Sequence, residues 1–555
     1  MAQLTMYSRE MAELFVSQGY WRTETTAELW DRNAREHPDR LVLVDSRSSL
    51  TWAEVKLFSD RFALGLLELG VKRNEIVVMQ IPNCVESFIV RLGCEKAGVL
   101  CATPLMTLRH REMEHTLQHL DAVSVIIPWQ FRNFDFFNMI EELKPELPSL
   151  KHILVIGDEV PPGTISVQEM IQQPIEKKYP GDYLEQTRFG LFEFGVIGLT
   201  SGTTGLPKFV EHPIPARIAM GAAYARLLKL TPEDTILSAA NVVAGNAAVV
   251  TYNGAVPLLG LKVILMERWD AGEGLKLIEK EKPTILIAVP AQLVAMVKHP
   301  DFYHCDFSSL RAVKLGTAPL PYEVVLEWEK ITGSIVVQGY GTFDAGAVAG
   351  TNVEQSQYER LQTVGKPYLG VKVKIVDDNE QEVPTGQEGE IVVSGALMAS
   401  GYYGNPELNK EAWKTVDGEN WFPTGDLGKF DAAGNLRIVG RKKDVIIRGG
   451  QNIYPTEIED LLLAHPKVAA AAVIGMPDQM MGEKCCAYIE PKPGEDFTFE
   501  EMTSYLKEQK LARYKLPERL EVRSKLPRAG LEKISKKELR EELIQLLKAE
   551  GKSGD

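Results

Sequence analysis

The 555-residue chain lacks the marks of several protein classes. No stretch of about 18 uninterrupted apolar residues occurs, which argues against a transmembrane helix and an integral membrane role. No low-complexity tract or internal repeat is visible, and 45% hydrophobic with 25% charged residues is the composition of a folded globular protein. Positive charge is scarce: 62 Lys and Arg face 76 Asp and Glu, a net charge of −14 that disfavours nucleic acid and anionic membranes as partners. The N-terminal MAQLTMYSREMAELF carries acids and no apolar signal region, so a cytoplasmic location is expected.

Cysteine is also sparse. Cys84, Cys94, Cys101, Cys305, Cys485 and Cys486 form no C-x-x-C pair, and most lie in apolar segments, so buried reduced thiols are expected. His115 and His119 stand four apart and share a helix face, but Thr116 occupies the position where a zinc protease needs Glu. With His110 they read as helix-surface residues.

At this length two or more domains are expected. Up to about residue 440, helical patterns (Trp52 to Leu69 opened by Thr51; Arg109 to Leu120) alternate with the strand-like runs EIVVMQI, SVIIP, HILVIG, TILIAV and SIVVQ. That alternation predicts an α/β fold with parallel sheets. Between about 363 and 440, VKVKIVDDN, GEIVVSG and GNLRIVG separated by turn residues predict an antiparallel β subdomain. After the charged 441–444 tetrapeptide, a plausible hinge, residues 445–555 read as a small α+β domain. In it KVAAAAVIGM and KCCAYIEP are strands, and Pro455 to Leu463, Thr498 to Glu508 and Ser535 to Ala549 are helices.

Against this background one stretch stands out: LTSGTTGLPK, residues 199–208. Glycine-freed amides, hydroxyls and a lysine suit polyphosphate binding. The stretch matches neither G-x-x-x-x-G-K-[ST] nor the dinucleotide fingerprint, and composition alone leaves it open between a phosphate grip and a surface turn.

The motifs that follow close that choice. After TSGTTGLPK come GTAPL (316–320), QGYGTFD (338–344), FPTGDLG (422–428), GRKKD (440–444), GGQNIYPTEIE (449–459) and PRAGLEK (527–533). In this order they resemble the acyl-adenylate-forming superfamily, which includes acyl- and aryl-CoA ligases, luciferases and adenylation domains of peptide synthetases. The resemblance runs from YWRTETTAELWDRNA near residue 20 to ISKKELREEL near 540. It implies a large N-terminal domain of α/β layers with a β subdomain, and a small mobile C-terminal domain. It also implies two-step chemistry: a carboxylate attacks the ATP α-phosphate to give acyl-AMP and pyrophosphate, then a thiol displaces AMP. Such a site needs Mg²⁺, lysine and backbone donors around the phosphates.

Residue by residue, the resemblance places Thr200, Ser201, Gly202, Thr203, Thr204, Gly205 and Lys208 on the β- and γ-phosphates. Gly316, Thr317 and Ala318 with Gly339, Tyr340, Gly341 and Thr342 line the adenine and acyl pocket, Tyr340 lying against adenine. Asp426 and Arg441 contact the ribose. Lys533 is the catalytic lysine, brought in by the C-terminal domain. Lys443 is the hinge, and Gly449 and Gly450 face the tunnel for the coenzyme A pantetheine arm.

Three departures bear on activity. Phe343-Asp344 replaces the usual Thr-Glu, leaving Asp344 as a shorter metal ligand and removing a hydroxyl. Glu532 replaces the glycine before the catalytic lysine. The segment AANVVAGNAAVV lacks the aromatic–histidine pair near the acyl pocket, leaving Asn246 as a polar contact. GYWRTETTAELWDRNA and LARYKLPERLEVRSKLPR resemble the aryl-acid branch, including dihydroxybenzoate–AMP ligases, whereas GGQNIYPTEIE resembles stand-alone CoA ligases. No carrier-protein serine motif follows residue 540. The expectation is an AMP-forming ligase that converts a small aromatic or alicyclic carboxylic acid to its CoA thioester, with ATP, Mg²⁺ and coenzyme A. A homodimer is one assembly this allows. The alternatives are an aryl-acid AMP ligase loading a separate carrier protein, and a non-catalytic nucleotide-binding protein.

Overall fold

The computed structural model describes residues 4–200, 206–242, 245–318, 320, 322–449, 451–478, 480–529 and 533–550. Two large sheets dominate the first 370 residues. In the seven-stranded sheet, strands Leu100–Ala102, Ile76–Met79, Ser124–Pro128 and His152–Ile156 run parallel beside Phe194–Thr200, and Lys208–Pro213 closes one edge antiparallel. The nine-stranded sheet has a parallel centre (Leu41–Val44, Lys262–Leu265, Thr235–Ser238, Ile285–Ile287, Ala312–Gly316, Ile335–Thr342) and antiparallel strands at its ends. Val77, Ile126 and Leu154 of the first sheet and Val263, Ile285 and Val337 of the second enter one core cluster. Central strands are buried on both faces, which is why they read as continuous apolar runs rather than alternating ones.

Local signals explain the helix starts. Thr51 caps Trp52–Glu68 in a reciprocal capping box with Glu54. Helix His110–His119 begins after Arg109. Thr498 and Ser535 cap Phe499–Glu508 and Lys536–Ala549, so each expected helix starts one residue after its hydroxyl.

Strands Val371–Val376, Gly389–Gly395, Glu419–Phe430, Lys414–Val416 and Leu436–Arg441 form an antiparallel sheet. A separate five-stranded sheet follows, built on the hairpin of Val468–Asp478 and Gly482–Pro491. Helices Pro455–Leu463 and Phe499–Glu508 cover one of its faces and Lys536–Ala549 the other, giving two small apolar clusters of their own. The protein is therefore a mixed α/β fold with a large N-terminal part and a small C-terminal one. Cys305 is half-buried; the other five cysteines are buried, and all six are free. Among the described residues no helix is long and apolar enough to cross a membrane.

Candidate active site

Strand Phe194–Thr200 leads into the glycine-rich stretch and Lys208–Pro213 returns from it, with Thr200 paired to Lys208. Ser201, Gly202, Thr203, Thr204 and Gly205 lie outside the described residues. Thr200 is buried, and among the described residues its hydroxyl has no hydrogen-bond partner. The histidines expected on a helix surface are there, His110 and His119 exposed and His115 half-buried, and two of them pack beside the strand that returns from the glycine-rich stretch. His115 Nε2 lies 3.2 Å from the Pro207 carbonyl, and His115 and His119 stack on Phe209 at 5.5 and 4.7 Å. Burial, then the neighbouring His115, lowers the His119 pKa.

Lys208 and Asp344, distant in sequence, meet: Nζ lies 3.6 Å from Asp344 Oδ1. Tyr402 joins them, donating its hydroxyl to the same oxygen at 2.7 Å while Lys208 Nζ stands 3.4 Å from that hydroxyl. Burial, then the Asp344 charge, pushes the Tyr402 pKa up, which keeps it a donor. Sequence reasoning missed Tyr402; its one signal is a tyrosine in the turn GYYGN. No group of three or more His, Cys, Asp or Glu gathers among the described residues. A carboxylate such as Asp344 beside a lysine and a glycine-rich stretch fits Mg²⁺, which binds through one or two carboxylates plus substrate oxygens.

Phe343 turns away from this cluster. Its ring meets His212 edge-on at 5.1 Å, and a Cβ built on Gly198 would fall 2.2 Å from the ring. The aromatic replacing the usual hydroxyl is thus a wedge under the strand that feeds the glycine-rich stretch.

Four residues before Asp344, on the same segment, Tyr340 donates its hydroxyl to Asp426 Oδ2 at 2.8 Å. Arg441 stands directly across the ladder from Asp426 and pairs with its Oδ1 at 2.9 Å. Asp426 is 5% exposed, so both oxygens of a buried carboxylate are met by donors. Burial first and the Asp426 charge second raise the Tyr340 pKa well above that of a free phenol. The tyrosine expected against adenine therefore has its hydroxyl tied to the carboxylate expected on the ribose.

Gly316 and Gly339 are register partners at the carboxyl end of adjacent parallel strands, where open α/β sheets bind ligands. Thr317 follows with φ +76°, a conformation that costs a β-branched residue about 1–3 kcal/mol and that clusters at functional sites. Thr317 and Ala318 are exposed. Gly341 is small for a different reason: a Cβ there would lie 2.4 Å from the Gly346 carbonyl across the ladder. Thr342 accepts a hydrogen bond from the Ala345 amide.

Lys443 is exposed between two anchored neighbours. Lys442 pairs with Glu390 of the antiparallel sheet at 2.9 Å, and Asp444 with Arg540 of the last helix at 2.7 Å. Gly449 has φ +56°, and its missing side chain leaves room for Met481, which a Cβ would meet at 2.5 Å. Gly450 and Glu532 lie outside the described residues. Lys533 is described through its backbone, paired with Ala529, and Asn246 through its place in helix Gly245–Ala248; neither side chain is.

A lysine and a carboxylate thus meet beside the glycine-rich stretch, one segment away from a buried carboxylate with a donor on each oxygen. The profile of the AMP-binding enzyme family matches residues 30–403 and that of its C-terminal domain residues 457–533, and the chain belongs to this family. It is 30% identical to the medium-chain fatty-acid–CoA ligase of Escherichia coli (strain K12), over 98% of this chain and 94% of that protein. It is 29% identical to the 2,3-dihydroxybenzoate–AMP ligase of Bacillus subtilis (strain 168), over 98% of each. The crystal structure of an anthranilate CoA ligase in complex with anthranoyl-AMP superposes with a TM-score of 0.84 at 26% identity, over 95% of this chain and 98% of that one.

Proposed function

We propose that the protein is an AMP-forming ligase that activates an aromatic or alicyclic carboxylic acid to acyl-AMP and transfers the acyl group to coenzyme A. The observation that carries the proposal is the segment Tyr340 to Asp344, which touches the Asp426–Arg441 pair at one end and the Lys208–Tyr402 pair at the other. One stretch of strand thereby serves a nucleoside and its phosphates together. A ring acid is favoured by the aryl-branch segments, by the relative named for 2,3-dihydroxybenzoate and by the structure holding anthranoyl-AMP. Coenzyme A is favoured by the relative named a CoA ligase.

In this reading the acid's carboxylate oxygen attacks the α-phosphorus, an O–P bond forms, and the bond to pyrophosphate breaks. Thr200 to Gly205 and Lys208 neutralise the departing phosphates. Asp344 would hold Mg²⁺ together with phosphate oxygens, and the ion when bound offsets phosphate charge. Asp426 accepts the ribose hydroxyls, Arg441 holding its second oxygen. Lys533 bridges the reacting carboxylate and α-phosphate. The two anchors flanking Lys443 support a pivot there: the residue before it is tied to the antiparallel sheet, and the residue after it to the last helix. Rotation then brings Gly449 and Gly450 to the thiol, which attacks the acyl carbon and expels AMP.

The test is incubation with ATP, Mg²⁺ and benzoate, terephthalate, cyclohexanecarboxylate or octanoate, with and without coenzyme A. AMP, pyrophosphate and thioester that depend on a ring acid are expected. Preference for octanoate would overturn the ring assignment, acyl-AMP without thioester would overturn coenzyme A as acceptor, and no acid-dependent AMP would overturn the ligase.

A further inference from the structure

On strand Ala312–Gly316, Val313 and Leu315 enter one apolar cluster, so Lys314 and Gly316 share the opposite face. That face carries the glycine pair Gly316–Gly339. A Cβ built on Gly339 would fall 2.9 Å from Lys314 Nζ and 2.8 Å from the Tyr368 hydroxyl. The space that the missing Gly339 side chain leaves is thus taken up by an ammonium and a phenol.

Lys314 is 1% exposed. Its Nζ donates to the Leu315 carbonyl and lies 4.8 Å from the centre of the Tyr224 ring, and no carboxylate pairs with it among the described residues. An ammonium has three donors, and buried charges are ordinarily paired. A buried amine without a counter-charge among the described residues, beside the glycine pair read as an acyl-pocket wall, is what remains of an ion pair when one member arrives with the ligand. Desolvation alone pulls its pKa down to about 7, leaving a neighbouring anion to restore the charge.

We propose that Lys314 is a specificity residue that receives a second carboxylate at the far end of the substrate. The Lys314 backbone lies two residues along the strand from Gly316, but its Nζ reaches to Gly339, the register partner of Gly316. The second carboxylate therefore meets it close to the glycine pair, which suits a compact dicarboxylic acid with a single ring or a short chain: terephthalate or adipate rather than benzoate or hexanoate. The inference rests on the reading of Gly316 and Gly339 as acyl-pocket walls.

The test compares kcat/KM for terephthalate against p-toluate, matched in shape and differing in one charge, in the wild type and in Lys314→Met, an unbranched replacement of similar length. The wild type is expected to prefer the dicarboxylate, and the variant to shift that ratio toward p-toluate by about 10²-fold. Thermal shift with terephthalate and no ATP reads the same site without turnover, with a rise in Tm expected in the wild type and not in the variant. An unchanged ratio, or equal shifts in the two proteins, zero included, overturns the inference. Absence of AMP with every acid would overturn the ligase reading instead and leave the thermal comparison to decide this one.

Discussion

The two ends of the site handle charge in opposite ways. At the end proposed for the nucleotide, Asp426 is buried but each oxygen has a donor, Tyr340 on one and Arg441 on the other. At the end proposed for the acid, the wall around helix Ile214–Leu228 holds buried cations without a carboxylate hydrogen-bonded to them among the described residues. Among the described residues, Lys314 has a carbonyl and a ring, and Arg217 has a 3.4 Å contact to Asn253. Arg91 has the face of Tyr252 at 3.8 Å and, among the described residues, no hydrogen-bond acceptor for any guanidinium nitrogen. Burial and then Arg91 bring the Arg217 pKa down to about 9, the mark of two cations sharing one interior. In the proposed reading, the balanced end is assembled before the nucleotide comes. The other end awaits charge from outside, and in that reading substrates are told apart there.

The largest effect is expected from the lysine proposed to arrive with the C-terminal part. Lys533→Ala should lower acyl-AMP formation about 10²–10³-fold while thioester formation from supplied acyl-AMP largely survives. Equal loss in both half-reactions would mean that Lys533 does not serve adenylation alone. Breaking the balanced end comes next. Asp426→Asn keeps the shape but removes the charge that holds Arg441 and would accept two ribose hydroxyls. It should raise KM for ATP by about 10–100-fold, the worth of hydrogen bonds to a charged group, and leave the ranking of acids intact. A reshuffled acid ranking in this variant would erase the distinction between the two ends.

A smaller effect separates packing from chemistry at Phe343. Since its ring fills the space over Gly198 and against His212, Phe343→Thr should destabilise the protein by about 2 kcal/mol rather than speed adenylation, as read by urea midpoints and pyrophosphate exchange. A faster, equally stable variant would place the ring in the chemistry after all. The sequence told which residue departs from the family pattern but not where its ring goes, because that depends on a glycine on another strand. Tyr340, Asp344, Asp426, Arg441 and Lys208 were legible because each sits inside a run of neighbours that recurs as a unit. Tyr402 was not: its partner lies 58 residues away, and nothing local announces the pairing. Lys314 was hidden by the strand rule itself. In AVKLG a lysine between two apolar residues reads as the solvent face, yet this strand lies inside a parallel sheet with both faces covered, so the alternating residue points inward.

The subtlest expectation is a pH dependence confined to the acyl end. The groups facing Lys314 are the phenols of Tyr224, on helix Ile214–Leu228, and Tyr368. Burial raises the Tyr224 pKa to about 12 and the Tyr368 pKa further above its ordinary value, so neither titrates near neutrality. Lys314 does, at about 7 in the folded protein against 10.5 when unfolded. Between those values the unfolded chain holds a proton that the folded one has released, so this lysine's contribution to stability rises as pH increases through that window. Lys314→Met should therefore show its largest stability advantage over the wild type below pH 7 and lose it as pH climbs toward 10, measured by urea midpoints at each pH. Anion recognition runs the other way, since only the protonated amine attracts a carboxylate. The terephthalate preference should fall with rising pH in the wild type and stay flat in the variant, whereas KM for ATP, set at the balanced end, should follow the same pH course in both proteins. A terephthalate preference with the same pH profile in both would place the discriminating charge elsewhere along the wall.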